Sequence, residues 1–131
     1  MLFRSAALSD FIVGGYYAAH IRRARSVYRR RQSLLVKALN RRLEGIVRVA
    51  EPSGGMHVIL PLPPDIPARS VQALAAKAEL HVRPISYYAV QAEAPNALQL
   101  GYAAVPDRLI EPAVERLADV IRSLRAGLVE I

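Results

Sequence analysis

The chain has 131 residues, of which 53% are hydrophobic and 22% charged, a balance that supports a packed core and excludes a disordered polyelectrolyte. It contains no cysteine, which excludes disulfides and thiolate metal sites and makes a cytoplasmic location the expectation. The formal net charge of +7 points either to an acidic partner or to an arginine-biased coding composition, and no apolar run approaches the ~20 residues of a membrane span, so no membrane partner is expected.

The N-terminal run MLFRSAALSDF meets Asp10 too early for a secretory signal. Residues 9–13 read as a short helix capped by Ser9 or Ser5, broken by Gly14-Gly15. Residues 18–43 then predict one long helix. The stretch has no Pro or Gly, is rich in good helix formers, and at 1.5 Å per residue makes a rod of about 39 Å. No acidic residue occurs between Asp10 and Glu44. At 100° per residue one side carries Tyr17, Ile21, Ala24, Val27, Tyr28, Leu35 and Leu39, and the other Arg22, Arg23, Arg29, Arg30, Lys37 and Arg41. The separation is imperfect. Arg25 and Gln32 fall within the apolar stripe, and His20, Arg31 and Arg42 fall on its edge. Buried polar groups need partners, so these residues either snorkel or meet something polar outside the chain.

Gly45 suits a left-handed helix end. Residues 46–50 alternate and are β-branched, predicting a strand that pairs across the 52–55 turn with a second strand at 56–62. A proline-rich link at 63–67 precedes a helix at 68–78 with Val71, Leu74 and Ala75 inward. A short strand at 81–85 is stopped by Pro84, and a polar loop occupies 86–96. A strand at 97–103 places Leu98, Leu100 and Tyr102 on one face and Gln99 and Gly101 on the other. A last helix, with Pro112 in its first turn, runs to residue 126 behind Val114, Leu117, Ile121 and Leu124. Helices and strands intermix without βαβ alternation, so the expected class is α/β of the α+β type: a small mixed sheet packed with helices, in one domain over 1–131. Within it, 1–45 forms the helical segment and 46–131 the sheet-bearing part.

The chemistry-bearing signals are few. Gly54-Gly55-Met56-His57 lacks the spacing of a nucleotide-binding loop and reads as a turn. His20, His57 and His81 have no metal spacing, so no metal ligand is assigned. No serine elbow and no carboxylate pair stands out, so no catalytic residue is assigned. The only lysines, Lys37 and Lys77, lie on helix flanks unsuited to a Schiff base, which needs a desolvated amine. Arg83, at a strand end beside Ser86-Tyr87-Tyr88, reads first as an ordinary exposed arginine and second as one placed to grip a carboxylate in a bidentate pair. The basic helix face is a candidate for nucleic-acid phosphates, though no aromatic residue interrupts it.

Several stretches together, ALSDFI, HIRRARSVYRRR, GGMHVILPLP, VRPISYY and LQLGYA, resemble the C-terminal end of MocR-type, GntR-family transcriptional regulators. The resemblance covers residues 7–125 and is most specific at His20, Ile21, Arg22, Arg23, Arg25, Tyr28 and Arg31, then Gly55, His57, Gly101 and Tyr102. It implies the small domain of a fold-type-I aminotransferase-like unit. In such proteins pyridoxal phosphate, the cofactor lysine and most phosphate ligands belong to a large domain, and DNA is bound through a winged helix. Neither has a counterpart here, so no cofactor-binding residue is assigned. Relatives often hold the substrate carboxylate with an Arg in the strand matching LQLGYA, where this chain has Gln99, so Arg83 and Gln99 become the candidates for an amino-acid-like effector. The resemblance places His20, Arg22, Arg25, Arg31 and Gln32 against a large domain or second subunit, with a homo-oligomer as the expected partner state. Two alternatives remain: the small domain of a true aminotransferase, and a free-standing basic nucleic-acid-binding module.

Overall fold

A computed structural model describes residues 16–52, 56–85 and 95–127, with side chains of the first helix from residue 19 onward. The expected helix at 9–13, its Gly14-Gly15 break, the tip of the 52–55 turn and the Tyr87-Tyr88 loop lie outside the described residues.

Helix α1 (Tyr16–Arg42) is the 27-residue rod that the acid-free, glycine-free stretch dictates. Gly45, at φ +84, turns the chain just beyond it. Strand β1 (His57–Pro61) and helix α2 (Ala68–Lys77) come next, then the two-residue strand β2 (Arg83–Pro84), strand β3 (Ala97–Gly101) and helix α3 (Asp107–Arg125). The sheet has the order β1-β3-β2, and both pairings are antiparallel. The inward residues Val58, Leu60, Leu98 and Leu100 meet the helices, so the period-two pattern read in the sequence is the burial pattern of the sheet.

Residues 46–50 form no strand, and β1 pairs with β3 instead. The reason is local. Asn40 of α1 takes both backbone groups of Val49: the Val49 N–H donates to Asn40 Oδ1 at 2.7 Å, and Asn40 Nδ2 donates to the Val49 carbonyl at 3.0 Å. The stretch is clasped to the helix rather than laddered to a neighbouring strand.

Helix α3 starts at Asp107, a turn and a half before the expected start, and encloses Pro112. The hydrogen bond that Pro112 forgoes, to the Arg108 carbonyl, lies on the exposed side where water replaces it. Helix α2 ends in a Schellman motif, with Leu80 N–H donating to the Ala75 carbonyl and Glu79 N–H to the Ala76 carbonyl. Glu79 holds the left-handed position at φ +63, which glycine usually takes.

The core is one apolar cluster in which Leu39, Leu43, Leu60, Ile66, Leu98 and Ile121 are fully buried. Each such side chain contributes about 1.5–3 kcal/mol of burial. Helix α1 supplies Leu35, Val36, Ala38 and Leu39 to this cluster, all from its C-terminal half, and Leu43 follows just past its end. Its partner is α3. The ion pairs advance in the same direction along both helices, from Arg30 and Arg31 on Asp107 to Arg41 and Arg42 on Glu111 and Arg42 on Glu115. The two therefore run side by side in parallel, and about 14 residues of α1, or about 21 Å, project beyond the start of α3. No helix among the described residues is long and apolar enough to cross a membrane.

Candidate functional site

The alternation that buries Leu98 and Leu100 turns Gln99 and Gly101 to the opposite side of the sheet. The register then sets their neighbours. Gln99 stands between Ile59 of β1 and Arg83 of β2, and Gly101 faces His57. Directly opposed residues of an antiparallel pair have Cβ atoms about 4.5–5.5 Å apart, so Arg83 and Gln99 share one patch. The two carboxylate candidates, sixteen positions apart in sequence, are cross-strand partners on the open face. Arg83 and His57 are exposed and Ile59 is 46% exposed, so none of the described helices covers this face. A β-carbon on Gly101 would lie 3.5 Å from His57 Cδ2, so the imidazole lies over the glycine. The patch offers a guanidinium fork, an amide that both donates and accepts, an imidazole and one branched apolar side chain. That set suits a carboxylate attached to an apolar body.

The site is held from behind by a residue to which the sequence pattern assigns no role. The Asn96 carboxamide ties the start of β3 to the 63–67 link. Its Oδ1 accepts from the Ala68 N–H at 2.8 Å, and its Nδ2 donates to the carbonyls of Pro63 at 2.8 Å and Ile66 at 2.9 Å. Pro67 stands at the N-cap of α2 and has no capping side chain, so Asn96 performs that task from across the fold. The only signal in the sequence is an Asn immediately before an apolar strand, which has no capping spacing to give it away.

The five interface candidates separate into two groups. Gln32 is buried, and its Nε2 donates to the Tyr102 hydroxyl at 3.2 Å. Arg31 donates to Asp107 Oδ1 at 3.1 Å and to the Ala103 carbonyl. The expectation that these two need partners outside the chain gives way to internal ones, supplied by the β3–α3 connection and the first turn of α3. Every buried side-chain polar atom among the described residues has a partner. His20, Arg22 and Arg25 lie on the projecting half of α1. Arg22 and Arg25 are exposed and His20 is half-buried.

The acids of α3 that meet α1 are electrostatically tuned. The Asp107 carboxyl is held below its ordinary 3.8 by hydrogen bonds from Arg30 and then Arg31. The Glu111 carboxyl is held below its ordinary 4.5 chiefly by the hydrogen bond from Arg41, which outweighs the opposing effect of burial, with a lesser contribution from Arg42. Arg122 donates to the Arg42 carbonyl and so satisfies a terminal acceptor of α1.

Two clefts flank the sheet. One of about 420 Å3 lies between α3 and the end of β3, with Leu80, Val82, Tyr102 and Leu109 in its wall. The other, about 330 Å3, lies beside β2 and is lined by Gln72, His81 and Arg83. The described residues do not fit pyridoxal phosphate. Lys37 and Lys77 are both exposed and line neither cleft, and no carboxylate of the described residues stands among the strand partners of Arg83 and Gln99. No group of three His, Cys, Asp or Glu side chains among the described residues is placed to hold a metal ion.

No protein-family model matches the chain. Among curated proteins it is 29% identical over 113 residues to the uncharacterized HTH-type transcriptional regulator YhdI of Bacillus subtilis, covering 85% of this chain and 24% of that protein. It is 26% identical over 126 residues to the probable rhizopine catabolism regulatory protein MocR of Rhizobium meliloti, covering 96% of this chain and 26% of that protein. Among solved structures it overlays LysN, the alpha-aminoadipate aminotransferase of Thermus thermophilus, with a TM-score of 0.81 and 28% identity, over 94% of this chain and 31% of LysN. The chain spans about a quarter of the length of these curated relatives. The helices, the three-stranded antiparallel sheet and these likenesses converge: the chain matches the C-terminal part of MocR/GntR-type regulators and aminotransferases and has the fold of that part in the fold-type-I aminotransferases.

Proposed function

We propose that this chain is the closing part of an aminotransferase-like unit in a MocR-type transcriptional regulator. Its open sheet face reads the carboxylate of an amino-acid-like effector beside a pyridoxal phosphate site held by a larger part. The observation that carries this reading is the cross-strand pairing of Arg83 with Gln99 on a face that the described helices leave open. Arg83 supplies the bidentate ion pair, and Gln99 adds a neutral donor where relatives that transfer amino groups often have a second cation. The regulator names among the relatives support the same choice. On this reading the covalent cofactor link and any amino-transfer chemistry reside in the larger part, in keeping with the exposure of Lys37 and Lys77.

In the assembled protein the projecting half of α1 lies against the larger part or a second subunit, with Ile21 and Ala24 as the apolar contact and His20 and Arg25 on either side of them. Light scattering over a wide concentration range reads this directly. Reversible dimer formation supports the contact, and a strict monomer at high concentration counts against it.

The functional reading is tested on the chain joined to its larger aminotransferase-like part and loaded with pyridoxal phosphate. The expected result is DNA binding that responds to an amino acid, with no sustained conversion of amino acids to 2-oxo acids. Arg83→Ala removes the response and leaves the cofactor spectrum unchanged. Sustained turnover would establish the alternative, the small domain of a true aminotransferase.

A further inference from the structure

Helix α1 treats its arginines in two ways. In the half packed on α3, Arg30, Arg31, Arg41 and Arg42 are each paired with Asp107, Glu111 or Glu115. In the projecting half, Arg22, Arg23 and Arg29 are exposed, and among the described residues no ion pair or hydrogen bond reaches them. No acidic residue lies within α1 to offset them.

The unpaired arginines are also arranged. At 100° per residue, Arg22, Ser26, Arg29 and Ser33 fall within about 60° of one another, along about 16 Å of helix, and Arg23 flanks them. This stripe lies on the side away from Ile21 and Ala24, so of the residues expected at the larger part only Arg22 belongs to it, and the helix geometry turns Arg22 away from that contact. It holds guanidinium forks and hydroxyls, the two side-chain types that most often donate to phosphate oxygens.

From this we infer that the outer stripe of α1, Arg22, Arg23, Ser26 and Arg29 on the projecting half with the half-buried Ser33 at its base, is a docking surface for the phosphate backbone of a nucleic-acid duplex. The stripe contains no aromatic side chain on which an unpaired base could stack, which argues for a duplex over a single strand. It contains no large apolar anchor, which the centre of a protein interface requires. The opposite side cannot enter a bilayer, because Tyr28 is packed against the core. The interaction is independent of base sequence and adds affinity to whatever recognition the rest of a larger protein supplies. It does not rest on the regulator reading, because the chain alone carries the whole surface.

The test uses the full chain and a fluorescent 20-base-pair duplex of arbitrary sequence, followed by anisotropy at several salt concentrations. Three phosphate contacts give a slope of about −2.7 in a plot of log affinity against log salt, so a fourfold rise in salt weakens binding about 40-fold. Arg22→Gln with Arg29→Gln lowers the slope to about −0.9 and the weakening to about 3.5-fold. Arg108→Gln with Arg116→Gln, equal in charge change and exposed on α3, leaves the slope as it is. Circular dichroism confirms that both variants remain folded. A slope near zero overturns the inference, as does an equal loss in the α3 variant, which would mean net charge alone is at work. Tighter binding to vesicles of phosphatidylserine and phosphatidylcholine than to the duplex at the same salt also overturns it, in favour of a membrane surface.

Discussion

Replacing Asn96 tests how the sheet face is supported. In Asn96→Ala the Ala68 N–H loses its acceptor at the unprotected start of α2, the Ile66 carbonyl loses its Asn96 donor, and the Pro63 carbonyl keeps only the Ile66 N–H. Loss of an N-cap acceptor costs about 1 kcal/mol. The two lost carbonyl contacts add about 0.5–1.5 kcal/mol each, with Pro63 at the lower end because one donor remains and Ile66 at the upper end because that residue is fully buried. The sum is about 2–4 kcal/mol, which in a chain of this size lowers the melting temperature by roughly 10 °C. Asn96→Asp is the sharper variant. Asp is as good as Asn at an ordinary N-cap, but here its second oxygen would point at two carbonyls. The expected order of stability is therefore the parent first, then Asn96→Ala, with Asn96→Asp no better than Asn96→Ala at pH 7. Urea unfolding followed by far-ultraviolet circular dichroism gives the three free energies. An Asn96→Asp variant as stable as the parent, or an alanine variant within about 0.5 kcal/mol of it, would refute the three-way staple.

Three further outcomes follow from the geometry. Asp107 and Glu111 have folded-state pKa values below the ordinary 3.8 and 4.5, so their contribution to stability is complete above those values and is lost as pH falls through the lower folded-state values. The urea midpoint should fall as pH drops below about 4.5, and Asp107→Asn should flatten that fall; an unchanged profile would exclude the Arg30–Asp107–Arg31 contact as its source. Gln32→Leu and Tyr102→Phe each break one buried hydrogen bond and should each cost about 1–2 kcal/mol. Their double variant should cost less than the sum, and strict additivity in the cycle would deny the contact. Glu79→Gly relieves a left-handed residue at the end of α2 and should raise stability by about 0.5–1 kcal/mol; a loss of stability would mean that the Glu79 side chain makes a contact that matters.

The parts of this fold that are legible in the sequence are those specified by periodicity. The α1 rod and the inward Leu98–Leu100 pair follow from the spacing of apolar residues alone, as does the stripe of α3 from Val114 to Ile121. The strand expected at residues 46–50 shows the limit. Its β-branched pattern is genuine, but pairing is a competition, and the Asn40 side chain takes the backbone of Val49. The start of α3 is expected too late because Pro112 resembles a helix beginning, whereas Pro106 and Asp107 mark it. In the site, Arg83 and Gln99 can each be named from the sequence, but their juxtaposition cannot. Register across a non-sequential strand order depends on contacts between distant parts of the chain. The partners of Arg31 and Gln32 are hidden for the same reason, since they lie 76 and 70 residues away along the chain.

The two halves of α1 also differ in what keeps them helical. Residues 32–43 are locked by side chains of the core, so their amides should exchange with solvent only when the whole molecule unfolds. Residues 19–27 receive little tertiary support from the other described residues, and an isolated helix of that length is marginal in water, so their amides should exchange through local fraying. A body that settles on the overhanging half would slow deuterium uptake there while leaving the other half unchanged. The overhang is thus its own reporter of occupancy, readable peptide by peptide before the identity of the visitor is known.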